Sequence, residues 1–169
     1  FYIAYDSGYR VAAWIERRSH GDQWPEMSTW DASGHLRSVP LSDAQNGGSL
    51  EVALACTGSN TCVALSSFSA SRRMRVSAHT IALTSLDVMT TEDDTWRSLD
   101  SSTCVGVQCD VQTCTTTTLE WDSYNMNRWV HIGILSPMTG AYREIPDRFS
   151  GYGCETTVTI GASSSVLYW

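Results

Sequence analysis

Apolar residues in this chain fall in short alternating runs, and nowhere do they form a helical stripe longer than two turns. Between Tyr9 and Arg17, Val11, Ala13 and Ile15 alternate against Arg10, Ala12, Trp14 and Glu16, the period of a half-buried strand. Phe1 to Tyr5 reads as a strand turned by Asp6-Ser7-Gly8. His35 to Leu41, Leu50 to Cys56 and Cys62 to Phe68 read as further strands, with Asn46-Gly47-Gly48 a turn before the second. Met74 to Met89 reads as one long strand that changes phase at Ile81, which predicts a bulge or a bend near His79 and Thr80. Thr103 to Trp121, Trp129 to Leu135, Tyr142 to Ile145, Cys154 to Ile160 and Val166 to Trp169 complete the set, with Thr115 to Thr118 a β-favouring run. Ser19 to Ser33 and Thr90 to Ser102 read as polar connecting segments.

About ten or eleven strands without helices predict an all-β, antiparallel β-sandwich, with a β-barrel as the alternative. A length of 169 residues suits one domain over 1–169. It is long enough to bury about 70% of the unfolded chain's surface, so crosslinks would reinforce a real core. No fixed-period repeat is present.

Cys56, Cys62, Cys104, Cys109, Cys114 and Cys154 form an even set without a zinc-type C-x-x-C pair, so they read as disulfides in an oxidising compartment. Gly58, Ser59 and Asn60 can close a hairpin that joins Cys56 to Cys62. Cysteines five residues apart on an extended strand lie about 16 Å apart, whereas a disulfide needs Cα atoms within about 7 Å. Cys104–Cys109 and Cys109–Cys114 thus require the chain to fold back. Val105 to Gln108 argues against the first, and Asp110 to Thr113 is only slightly more turn-like. Cys154 is expected to reach one of these three. The C-x4-C-x4-C spacing does not fit structural zinc, and neither a metal nor a cofactor is expected.

All eleven cationic side chains are Arg, against eighteen carboxylates, for a net charge of -7. Ordinary usage would supply about ten lysines. Arg in place of Lys, with only four Asn, fits a GC-rich genome. A toxin that avoids ubiquitin attachment, or selection for Arg-mediated binding, would leave the same gap. Charged residues make up only 17%, below the usual quarter, so Ser, Thr, Gly and Gln coat much of the surface. The acidic balance argues against nucleic acid as partner. The local cluster Arg72, Arg73 and Arg75 reads as a solvated turn. No stretch approaches eighteen apolar residues, so no membrane insertion through a helix is expected. No signal peptide is visible, and a secreted protein would have had its leader removed.

Catalytic patterns are incomplete. Asp6-Ser7-Gly8 resembles the D-S-G core of trypsin-like serine proteases, but Tyr5 and Tyr9 stand where that family has glycine, and Ser7 precedes every histidine. His20-Gly21-Asp22-Gln23-Trp24-Pro25 is similar to a box of T2-type ribonucleases, with one extra residue and without the lysine of that family's second box. Ser7, His20 and His35 therefore read as turn and loop residues. Carboxylate pairs such as Glu16, Asp22, Glu26, Asp31, Glu120 and Asp122 depend on a separation that sequence does not supply.

Tryptophan placement is more telling. Trp14 and Trp129 lie within strands, whereas Trp24, Trp30 and Trp96 fall in polar segments and Trp121-Asp122-Ser123-Tyr124 follows a strand end. Aromatic rings beside polar groups serve sugar recognition and dominate protein interfaces. Rings folded over a sandwich are the competing expectation, because Trp is highly buried on average. The expected function is a secreted or surface-displayed recognition module, lectin-like or a receptor-binding projection. It would bind a glycan or cell-surface protein through Trp24, Trp30, Asp31, Trp96, Trp121 and Tyr124. A small secreted hydrolase or toxin, and a structural coat or filament subunit, are the alternatives. A homo-oligomer is a further expectation.

Overall fold

The computed structural model describes residues 2–70, 73–98, 104–122, 127–145, 149–150, 158–160 and 165–167; side chains are described only in part of these. The described residues form fifteen strands and no helix. In chain order these are β1 (Tyr2–Asp6), β2 (Tyr9–Arg17), β3 (Gln23–Trp30), β4 (Leu36–Pro40), β5 (Ser49–Cys56), β6 (Thr61–Ala70), β7 (Arg73–Ala82), β8 (Val88–Ser98), β9 (Val105–Cys109), β10 (Cys114–Asp122), β11 (Asn127–Leu135), β12 (Tyr142–Glu144), β13 (Phe149–Ser150), β14 (Val158–Ile160) and β15 (Ser165–Leu167). The first sheet runs β1-β2-β3-β4 and the second β5-β6-β7-β8. The third runs β12-β11-β10-β9 with β13 beside β11, and β14 and β15 form a two-stranded ribbon. All pairings are antiparallel, and none of these sheets closes into a barrel.

The second sheet is apolar on both faces. Val52, Leu54, Cys62, Ala64 and Ile81 pack with Val11, Ala13, Met27 and Leu41 of the first sheet and its flank. Ala53, Val63, Leu65, Met74, Val76 and Ala78 pack on the other side with Val105, Cys114 and Leu135 of the third. The result is a layered β-sandwich with β5–β8 as its middle sheet. Leu119, Val130 and Ile132 place a further apolar cluster on the third sheet. Burial of most of this surface stabilises by about 25 cal/mol per Å² of apolar area.

This layering accounts for the phase change in Met74 to Met89. Met74, Val76 and Ala78 face the third sheet and Ile81 the first, so the two phases are the two faces of one strand. Of the bulge or bend expected near His79, no bulge appears there; the register slips between Met74 and Val76 instead. The run also breaks at a turn, where Leu86 takes φ +63° and its N–H donates to the Ala82 carbonyl at 2.8 Å. β8 then covers most of the segment read as a polar connection.

Thr103 to Trp121 is likewise two strands. Asp110 accepts the N–H groups of Gln112 and Thr113, both at 2.7 Å, and this turn brings Cys109 opposite Cys114. The Cys109–Cys114 disulfide therefore forms, against the expectation from an extended run. Cys56 and Cys62 are joined as the hairpin predicts. Cys104 is also disulfide-bonded, and Cys154 lies outside the described residues.

The largest correction concerns Ser19 to Ser33. Gln23 to Trp30 is a strand paired on both sides, with β2 and with β4. Pro25 read as punctuation, yet it lies buried inside β3. Its carbonyl accepts the Leu41 N–H at 2.8 Å, so the missing proline donor faces the end of β4 and costs no bond to β2.

Candidate functional site

The outer face of the first sheet carries the candidate site. Val11, Ala13 and Met27 point to the core, so Arg10, Ala12, Trp14, Glu16, Trp24, Glu26, Ser28 and Trp30 point away from it. Register then assembles rows across the strands. Tyr5 lies opposite Arg10, Arg10 opposite Trp30 and Trp30 opposite Leu36. The next row is Ile3, Ala12, Ser28 and Ser38, and beyond it Trp14 lies opposite Glu26 and Glu16 opposite Trp24.

Ala12 and Ser28 are short, so their row sinks between taller neighbours; both are buried although they face outward. Ser28 and Ser38 join their hydroxyls between β3 and β4. A groove of 640 Å³ opens over Ala12, lined by Ile3, Tyr5, Arg10, Ala12, Trp30 and Asp31 among others. That volume lies in the usual range for small-ligand sites. Ile3 and Tyr5 stand 57% and 74% exposed at its edge, and Leu36 is exposed beyond Trp30.

The carboxylates of this face are already engaged. Trp14 Nε1 donates to Glu16 at 3.1 Å and Trp24 Nε1 to Glu26 at 3.2 Å, which fixes each indole along its own strand. The Arg18 guanidinium lies 5.0 Å from the centre of the Trp24 ring, within cation–π range. Asp31 braces the β3–β4 turn. Its Oδ1 accepts from Ser33 Oγ at 2.6 Å, Ser33 N at 2.9 Å and His35 N at 3.0 Å. The Ser33 hydroxyl above all, then the His35 N–H, pulls the Asp31 carboxyl down to about 2. Gly34 completes the turn at φ +83°. Arg10, by contrast, has no carboxylate within ion-pair distance among the described residues.

The structure thus brings Trp30 and Asp31 to one groove, with Asp31 as a brace of its rim. Trp24 shares the face but stands six residues along β3, about 20 Å away at the strand rise. Both tryptophans are half-buried strand residues, not loop aromatics. Trp96 and Trp121 belong to β8 and β10, in other sheets, with side chains outside the described set; Tyr124 lies outside the described residues. Tyr5 and Arg10 escape the sequence reading, although a signal for them exists. Ser7 and Gly8 take φ 49° and 87°, a two-residue primed turn that closes Asp6 on Tyr9 and sets Tyr5 opposite Arg10.

Other chemistry-bearing groups have structural roles. Ser66 Oγ lies 2.8 Å from His79 Nε2, and Thr90 Oγ1 lies 3.1 Å from Nδ1. His79 is fully buried and Ser66 nearly so, which leaves this Ser–His pair no open approach for a substrate. Burial pushes the His79 imidazole down to about 4. Asp6 lies near the sulfurs of Cys56 and Cys62, but those sulfurs are bonded to each other and offer no thiolate to a metal. His20 and His35 bond within their own turns, to Ser19 and Ser33.

No protein-family model matches the chain, and no curated protein or solved structure matches it significantly.

Proposed function

We propose that this chain is an extracellular recognition module that binds a glycan on the outer face of its first sheet. The observation that carries this reading is the groove in which Tyr5, Arg10 and Trp30, opposed across three strands, stand beside the short side chain of Ala12. A sugar ring has apolar C–H faces and a hydroxyl rim. Trp30 and Tyr5 offer flat surfaces for the faces, and the Arg10 guanidinium offers N–H donors for the rim. Few polar groups converging on an aromatic groove is the general pattern of small-ligand sites. The Cys56–Cys62 and Cys109–Cys114 disulfides support an oxidising environment for the working protein.

A glycan array on the intact chain, followed by tryptophan-fluorescence titration of the hits, tests the reading. Binding to at least one sugar class, weakened at least tenfold in Trp30→Ala with the fold retained, is the expected result. Failure of every sugar class to bind overturns it.

A further inference from the structure

We infer that the groove selects an anionic saccharide, holding its carboxylate or sulfate with the Arg10 guanidinium while a sugar ring lies against Trp30 or Tyr5. This rests on the glycan reading above and specifies its ligand.

The groove's charge balance leads there. Arg10 is exposed at the centre of the row, between Tyr5 on one strand and Trp30 on the next. Directly opposed cross-strand residues have Cβ atoms about 5 Å apart. Two aromatic residues therefore flank its stem, and its planar fork is left to reach over the groove. Chain-wide, eighteen carboxylates outnumber eleven Arg, yet none of the described ones reaches Arg10. The three acidic side chains on or beside this face are each bonded elsewhere: Glu16 to Trp14, Glu26 to Trp24 and Asp31 to its own turn. Asp31 in particular is held by Ser33 and His35 and makes no ion pair with the guanidinium. An anion entering the groove thus meets a guanidinium that no carboxylate among the described residues has taken as an ion-pair partner, Asp31 being the one acidic group in the lining. Arg matches planar carboxylates and tetrahedral oxyanions with two parallel N–H bonds, the strongest common hydrogen-bonding arrangement. A neutral sugar, with only hydroxyls to present, uses less of that capacity.

The test titrates the intact chain with three oligosaccharides of one backbone: a uronic-acid form, its carboxyl-reduced neutral form and a sulfated form. Wild type, Arg10→Gln and Arg10→Lys are compared, with thermal melts to establish that each is folded. The expected result is at least tenfold tighter binding of the uronic or sulfated form than of the neutral one. Arg10→Gln should abolish that preference, and Arg10→Lys should retain part of it because charge persists without the fork. Preference for the carboxylated over the sulfated arm, or the reverse, names the anion. Equal binding of all three forms, indifferent to Arg10→Gln, overturns the anionic selection and leaves the glycan reading standing. If none of the three binds, the selection also falls, and the array result decides the glycan reading separately.

Discussion

The carboxylate of Asp6 accepts the backbone N–H of Gly58 at 3.0 Å, joining two turns that are 52 residues apart in the chain. The same carboxylate takes the Asn60 N–H at 3.2 Å and the Ser7 hydroxyl at 2.6 Å. One buried side chain thus ties the β1–β2 turn, and the groove strands it connects, to the disulfide-closed hairpin of the second sheet. Asp6→Ala would leave two amides without their acceptor. Bonds to a charged group contribute about 1.5–3 kcal/mol each, so a loss near 3 kcal/mol is expected in urea denaturation. Asp6→Asn keeps one carbonyl oxygen and should lose less. An Asp6→Ala variant as stable as wild type would show that this tie contributes nothing.

Stability should fall in mild acid through His79. Its folded pKa of about 4 lies below the ordinary 6.5, so below pH 6.5 the unfolded chain takes up a proton that the folded chain refuses. The stabilisation is complete above pH 6.5 and is lost as pH falls toward 4. Across that window it amounts to about 3 kcal/mol. Carboxylates titrate there too, so the informative quantity is the difference between wild type and His79→Gln at pH 7.5 and pH 4.5. The variant should show the shallower decline; parallel curves would contradict the assignment.

Native alkylation followed by mass spectrometry should find Cys56, Cys62, Cys109 and Cys114 unmodified, since each is already bonded. Both crosslinks close short loops, of separation 6 and 5. In the chain-entropy treatment such a loop contributes about 2 kcal/mol. Cys109→Ser with Cys114→Ser should therefore lower stability by about that much, seen as an earlier denaturation midpoint. Ready labelling of any of the four in the folded protein would remove the case for an oxidising compartment.

Gly133 on β11 has no room for a side chain. A Cβ there would overlap the Tyr142 ring and the Thr116 hydroxyl. Gly133→Ala should cost about 1–3 kcal/mol through overpacking, and pairing it with Tyr142→Ala should cost less than the sum of the two single changes. Strictly additive effects would mean that the two residues do not compete for the same space.

Legibility from sequence followed the local physics. The β1–β2 hairpin, the Cys56–Cys62 closure and most strand positions could be read, because alternation and turn chemistry act over a few residues. Asp110 shows the limit: one side chain folding back on two amides splits what reads as a single strand. Pro25 shows another, since its cost depends on which neighbour its missing donor faces. Trp30 and Asp31 read as loop groups in the sequence, whereas Trp30 ends β3 and Asp31 bonds within the turn that follows it.

Period-two patterning and paired cysteines were sufficient by themselves to specify an antiparallel, crosslinked all-β protein, because both are short-range signals. The middle position of the second sheet, which makes two phases of one strand equally buried, came only with the stacking of the other sheets on either side. So did the groove. Tyr5, Arg10, Trp30 and Leu36 lie on separate strands, and only the register between those strands sets them in one row. Register is decided by long-range burial and turn geometry together, which no single segment encodes.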